Sequence, residues 1–246
     1  MIWLKLDVAG QSAPLNFLLD SGAGKSVLHL GTAQRLGMKL GAREAVQGVS
    51  GRCAAYRIDR FSATVASVSV PDQVLALDLS SISAGCGARV DGLLGADFFR
   101  KRVVQIDFAA QKIRLLSRDE FPASGGQVLP LARRNDAFCL RVGVGGQAPQ
   151  WMRLDTGYSG ALEWVVGSAK ARRISGTSVA AAAASRGQIE TEVFLGTERV
   201  SPVKTGVHPK AIFPGEAGLV GNGLLSRFQV TVDVSGSRLL LRRVVR

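Results

Sequence analysis

Short apolar runs, broken every few residues by glycine, proline or a small polar residue, set the rhythm of this chain. Residues 2–9 and 14–19 are two such runs, separated by Gly10-Gln11-Ser12-Ala13. That pattern predicts a pair of strands joined by a turn. Residues 26–30 read as a returning strand, and 61–70 and 74–79 as further strands. Between them, 31–37 carries a short helical turn closed by glycine, and 96–100 a second short helix following Gly95. Strands at 103–107 and 113–116 complete the first half. A charged run that passes into proline, serine and glycine, 118–127, reads as a linker. The plan then repeats over 128–246, with a less regular middle in which 180–184 are all alanine, a run that favours helix in isolation. Many short strands over 246 residues predict an all-β chain in two lobes, 1–117 and 128–246, each long enough to bury a core.

Both leading strand pairs end in a carboxylate. The first reads Leu18-Leu19-Asp20-Ser21-Gly22-Ala23 and the second Arg153-Leu154-Asp155-Thr156-Gly157-Tyr158, apolar residues leading into the acid. A charge at the end of an apolar strand is costly and needs a compensating role. A lone Asp-Ser/Thr-Gly would be an ordinary strand-end turn. Here the flanks match as well. Gly10-Gln11 and Gly146-Gln147 mark the preceding turns, with Pro14 and Pro149 after them. Downstream, Gly92-Leu93-Leu94-Gly95 is matched by Gly218-Leu219-Val220-Gly221. From Gly95 to Asp107 is 12 residues, and from Gly221 to Asp233 is again 12. The copies lie 126 to 135 residues apart, too far for a solenoid repeat, so two homologous lobes are expected.

This arrangement resembles the aspartic peptidases, with their Asp-Thr/Ser-Gly loop and a later apolar-apolar-Gly segment. Half by half it is closest to the retropepsin-like families, whose motif continues with alanine, as Asp20-Ser21-Gly22-Ala23 does. Retroviral enzymes assemble two such halves as a homodimer, whereas pepsins carry both on one chain. The resemblance runs from Ile2 to Arg243. It implies a bilobal pepsin/retropepsin-like acid protease fold with pseudo-twofold symmetry, acting as an aspartic-type endopeptidase. Asp20 and Asp155 would form the catalytic dyad. Two carboxyls about 3 Å apart cannot both ionise, so one serves as acid and the other as base, and the titration belongs to the pair. Gly22 and Gly157 would permit backbone crowding where the loops meet. Ser21 and Thr156 would bond across to the opposite loop. Leu93, Leu94 and Gly95, with Leu219, Val220 and Gly221, would support the loops from behind. Ala23 and Tyr158 stand where pepsins commonly hold a hydroxyl donor, which implies a milder acid optimum. Gly48, Val49, Ser50 and Gly51 fall where retropepsin-like chains hold a substrate-covering flap; a plain hairpin turn is the other reading. An inert peptide-binding module of the same fold is the alternative function, and two intact aspartates argue against it.

Composition narrows the partners. With 31 basic and 19 acidic residues the net charge is +12, yet aromatics are only 6% and no aromatic-and-basic module interrupts the pattern. A solvated basic surface is therefore expected, with a peptide or protein substrate as partner and no nucleic acid. No cofactor and no metal are implied. A monomer is expected, since one chain carries both halves. No run of about 20 apolar residues predicts a membrane span. Met1 to Leu6 read as the first strand, not as a signal peptide; the compartment stays open, with export to the periplasm suggested by the resemblance alone. Cys53, Cys86 and Cys139 are odd in number and lack metal spacing, which leaves unpaired thiols or one bridge. Gly24-Lys25-Ser26 lacks the glycine of a phosphate-binding loop, because position 19 is Leu. Gly157-Tyr158-Ser159-Gly160-Ala161 lacks the last glycine of a serine-hydrolase elbow. His29 and His208 have no ligand-like neighbours in sequence and read as surface or core residues.

Overall fold

Strand burial explains the architecture element by element. The computed structural model describes residues 1–48, 51–100, 102–122, 124–167 and 187–244. The chain divides into two compact units, Met1–Phe98 and Phe99–Arg246. In the first, the strands are β1 (Trp3–Val8), β2 (Leu15–Leu19), β3 (Val27–His29), β4 (Arg43–Gly48), β5 (Gly51–Ile58), β6 (Ala63–Val65), β7 (Val68–Ser69), β8 (Val74–Leu77) and β9 (Gly92–Leu94). They form one nine-stranded sheet in the order β4-β5-β8-β3-β9-β2-β1-β6-β7. Helices α1 (Leu30–Arg35) and α2 (Ser80–Cys86) decorate it, and α3 (Ala96–Phe99) leads out of it.

The centre of that sheet is continuously apolar because it is covered on both faces. Phe17, Leu18 and Leu19 of β2 are 0%, 1% and 0% exposed. Leu18, Val27, Leu75, Leu79, Val90 and Leu93 pack into one cluster, each such side chain contributing about 1.5–3 kcal/mol. The single strand expected over 61–70 is instead the hairpin β6–β7. Ala66 and Ser67 take positive φ there, at 47° and 65°, and reverse the chain. Helix α2, rich in serine and small residues, has no counterpart in the sequence-based expectation.

The second unit holds β10 (Val103–Asp107), β11 (Lys112–Leu116), β12 (Gln127–Pro130), β13 (Ala132–Arg134), β14 (Ala137–Val144), β15 (Gln150–Leu154), β16 (Leu162–Val165), β17 (Gly187–Leu195), β18 (Glu198–His208), β19 (Gly218–Val220), α4 (Asn222–Leu225), β20 (Phe228–Asp233) and β21 (Arg238–Arg243). The alanine run at 180–184 lies outside the described residues. One sheet runs β13-β14-β15-β19-β16-β18-β17, and β17 returns to pair with β14, so six strands close on themselves. The other runs β11-β10-β20-β21-β12. Strands 103–116, which the sequence pattern groups with the first lobe, thus pair with 228–233 inside the second unit.

That five-stranded sheet is built from two matching hairpins. In β10–β11, Val103 faces Leu116; in β20–β21, Gln229 faces Arg242, the same register shifted by 126 residues. The hairpins join antiparallel with Gln105 opposite Thr231, and the Gln105 amide donates to the Thr231 hydroxyl at 3.2 Å across that 126-residue interval. Each hairpin turn is closed by its own aspartate. Ala110 N–H donates to Asp107 at 2.9 Å, and Gly236 N–H to Asp233 at 2.8 Å. Among the described residues, no helix is long and apolar enough to cross a membrane.

Candidate active site

Asp20 sits where β2 runs out. That strand is flanked by β1, antiparallel, and by β9, parallel, with Leu18 opposite Leu93 and Leu19 opposite Leu94. The Asp20 N–H donates to Leu94 O at 2.8 Å, the last rung of the parallel ladder. The chain then folds back over its own carboxylate. Gly22 N–H and Ala23 N–H both donate to Asp20 Oδ1 at 3.0 Å, bonds that favour a charged acceptor. Ser21 is fully buried.

Gly95 lets this loop close. A Cβ there would lie 2.4 Å from both the carbonyl carbon and the oxygen of Lys25. Only hydrogen fits, so the chain after β9 can pass directly against the loop, where Ala96 N–H donates to Ala23 O at 2.7 Å. Ser26, also fully buried, ties the same crossing together. Its N–H and hydroxyl donate to the Asp97 carboxylate at 2.9 and 2.6 Å, and its oxygen accepts Gly95 N–H at 3.1 Å.

Asp155 stands in the same local topology in the second unit. β15 lies antiparallel to β14 and parallel to β19, and β19 lies antiparallel to β16 as β9 does to β3. Asp155 N–H donates to Val220 O at 2.9 Å, and Gly157 N–H to Asp155 Oδ1 at 2.9 Å. Leu219 and Val220 supply the parallel strand, and Gly221 the close crossing. A Cβ on Gly221 would lie 2.3 Å from Gly160 O and 2.4 Å from Tyr158 Cδ1. Thr156 is fully buried and Asp155 is 9% exposed. Asn222 adds a side-chain tie, its amide donating to Thr156 O at 2.7 Å while its N–H donates to Tyr158 O at 2.8 Å.

Tyr158 does not mimic a small hydroxyl donor. Its ring covers Gly160 and Gly221, where an added Cβ would strike it, and its hydroxyl donates to Glu163. Glu163 also meets the imidazole Nε2 of His208. His29, by contrast, accepts the Leu79 N–H at 3.0 Å through Nδ1. Among the described residues, no three His, Cys, Asp or Glu side chains are grouped to hold a metal.

Arg153 corrects the reading of the second lead-in as apolar. It is 5% exposed, and its guanidinium makes two 2.7 Å bonds to Glu216, itself 4% exposed. It also lies 3.5 Å from the centre of the Phe213 ring. Bidentate pairing is what makes the burial tolerable. Leu18 holds the matching place in the first unit, so the pairing was legible only through the register that sets Arg153 beside Leu219. Cys139, the antiparallel neighbour of Arg153, has its thiol pushed up to about 12, chiefly by burial, with Glu216 adding to it. All three cysteines are free.

The candidate flap is the β4–β5 hairpin at one edge of the first sheet, with Gly48 paired to Gly51. Val49 and Ser50 lie outside the described residues.

Among curated proteins, none matches this sequence. Residues 4–98 match the family model described as aspartyl protease. That segment contains Asp20, its loop, and the strand β9 that supports it. Over residues 4–98 the chain is therefore similar to the aspartyl proteases.

Proposed function

We propose that this protein is an aspartic endopeptidase in which Asp20 and Asp155 form one dyad around a water molecule. The ionised carboxyl takes a proton as the water attacks the amide carbon. The protonated one polarises the carbonyl and later helps protonate the leaving nitrogen. The roles belong to the pair and exchange during turnover. One chain supplies both half-sites, so a monomer suffices. The substrate is a peptide or an extended protein segment, covered by the β4–β5 hairpin.

The observation that carries this reading is that the same half-site is built twice. Each aspartate ends a strand lying parallel to a Gly-Leu-Leu or Gly-Leu-Val strand. Each accepts a backbone N–H from the glycine two residues on. Each loop is crossed by a glycine with no room for a methyl group. The hairpins that contain Gln105 and Thr231 repeat at a fixed 126-residue interval, which favours one duplicated plan.

The test is digestion of a diverse peptide pool at several pH values, with and without pepstatin. Cleavage that pepstatin blocks, and that Asp20→Asn and Asp155→Asn each abolish in a folded protein, is the expected result. Because the two act as a unit, the double variant should be no worse than either single one. Either single variant retaining more than a small fraction of turnover would remove the dyad assignment. Pepstatin binding without turnover would support the inert module instead.

A further inference from the structure

The second half-site contains a polar cluster that the first one lacks at every corresponding position. Glu163 faces Leu219 of β19 and Gly206 of β18. In the first unit the residue in that register is Val27, facing Leu93 of β9 and Leu75 of β8. Val165 faces His208 as His29 faces Leu77. Three residues after the aspartate, Tyr158 stands in place of Ala23. Alanine, valine and two leucines in one half are thus tyrosine, glutamate, glycine and histidine in the other.

These four residues are fitted to one another. The Tyr158 hydroxyl donates to one Glu163 oxygen, and His208 Nε2 meets the other. Glu163 is 5% exposed. The carboxylate fits only because Gly206 has no side chain, since a Cβ there would lie 2.0 Å from Glu163 Oε2. A buried carboxylate is expensive unless it is satisfied, and a well-packed apolar set such as Val27 with Leu75 would hold a sheet at lower cost.

We infer that Glu163, held by His208, is a positioning residue for the Asp155 loop, acting through Tyr158. The inference rests on Asp155 being one half of the dyad. Tyr158 N–H donates to Asp155 O at 3.3 Å, and Tyr158 O accepts the Asn222 N–H at 2.8 Å. The backbone of Tyr158 is therefore part of the aspartate's own turn. Anchoring its ring at the far end, against Gly160 and Gly221, restrains residues 155–160 as a unit. The cluster replaces, from behind, the Ser26–Asp97 tie that braces the first loop.

Three variants test this: Tyr158→Phe, Glu163→Ala and Glu163→Gln. Turnover is expressed per pepstatin-titrated site, and amide hydrogen exchange is followed over residues 155–160. Tyr158→Phe and Glu163→Ala should each lower kcat about tenfold with KM within about twofold, as expected when a reacting group is displaced by a fraction of an ångström. Both should speed exchange at Gly157 and Tyr158. Glu163→Gln still accepts from Tyr158 and can donate to a neutral His208, so it should keep at least about a third of wild-type kcat. Full kcat per titrated site in the first two variants, or equal loss in Gln and Ala, would overturn the inference. If the wild type cleaves nothing, the peptidase reading falls, yet exchange still decides: unchanged protection at Gly157 and Tyr158 in both variants would overturn the positioning role.

Discussion

Replacing Gly95 with alanine tests whether the loop crossing is as tight as described. The new methyl would start 2.4 Å from the carbonyl carbon and oxygen of Lys25 and 2.8 Å from Ser26 N. An ordinary contact needs about 3.4 Å or more, so the backbone of Lys25 and Ser26 would have to retreat by roughly 1 Å. All three obstructing atoms are main chain, and no rotamer change relieves them. Moving them also disturbs the bonds of Ser26 to Asp97 and Gly95. Overpacking of a core costs about 1–3 kcal/mol, more where backbone must shift, so about 3 kcal/mol or more is expected. For a chain of this size that lowers Tm by about 6–12 °C. Gly85 is the internal control. It lies in α2, where a Cβ meets nothing within 4 Å. Gly85→Ala should therefore stabilise by about 0.5–1 kcal/mol. The assay is urea unfolding of both variants, read from the midpoint at constant slope. A Gly95→Ala cost under about 1 kcal/mol, or equal destabilisation by the two substitutions, would refute the packing argument.

Three further outcomes follow from groups away from the loops. Burial raises the Asp233 carboxyl, but Gly236 N–H, Arg238 and Ser235 outweigh it and leave it below the ordinary value. Its stabilisation is thus present above the unfolded-state pKa and is lost as pH falls through the folded one, so wild type and Asp233→Asn should converge in stability below about pH 4; a constant gap down to pH 2 in acid unfolding would contradict this. Cys139, buried and with its thiol pushed up to about 12, should resist iodoacetamide at pH 8 in the native protein while exposed Cys53 reacts; peptide mapping by mass spectrometry would show the reverse if burial were misplaced. Glu216→Gln removes the carboxylate partner of buried Arg153 and should cost about 3–5 kcal/mol in urea unfolding, whereas Arg153→Leu with Glu216→Leu, giving residue 153 the leucine found at position 18, should recover most of it.

What the sequence made legible was whatever is local or repeated. The Asp-Ser-Gly-Ala and Asp-Thr-Gly-Tyr loops, the Gly-Leu-Leu-Gly and Gly-Leu-Val-Gly segments, and the equal Gly95–Asp107 and Gly221–Asp233 spacings are strings of adjacent residues. Helix α1 was legible through its closing glycine, Gly37, which adopts φ +66°. What stayed hidden depends on contacts distant along the chain. Glu163 sits in an apolar run, Leu162 to Val166, where it looks solvent-facing; its partners are reached only once β16 and β18 lie side by side. A single glycine in the opposite strand was the available signal, because Gly206 faces Glu163 directly. Arg153 was hidden the same way by Glu216, 63 residues on. Helix α2 had no periodic apolar face to reveal it, and none of its residues is buried. The joining of β10 to β20 was invisible because each hairpin alone looks complete.

That last joining sets a timetable for the nascent chain. Every strand of the nine-stranded sheet, β1 to β9, has emerged once residue 94 has been made. The hairpin at 103–116 is different, for its neighbour ends at residue 233 and the strand that closes the sheet at 243. At roughly 5–20 residues per second, ribosomal synthesis leaves that hairpin waiting about 6–25 seconds. An isolated two-stranded ribbon is marginal in water, and β10, whose Val103, Val104 and Ile106 are at most 2% exposed in the finished protein, would present a bare apolar edge for the whole interval. The step that completes this sheet therefore waits until residue 243 has been made. Slow translation of residues 117–243, or shortage of a holding chaperone, should divert the protein to aggregates through the 103–116 ribbon before any defect touches residues 1–98.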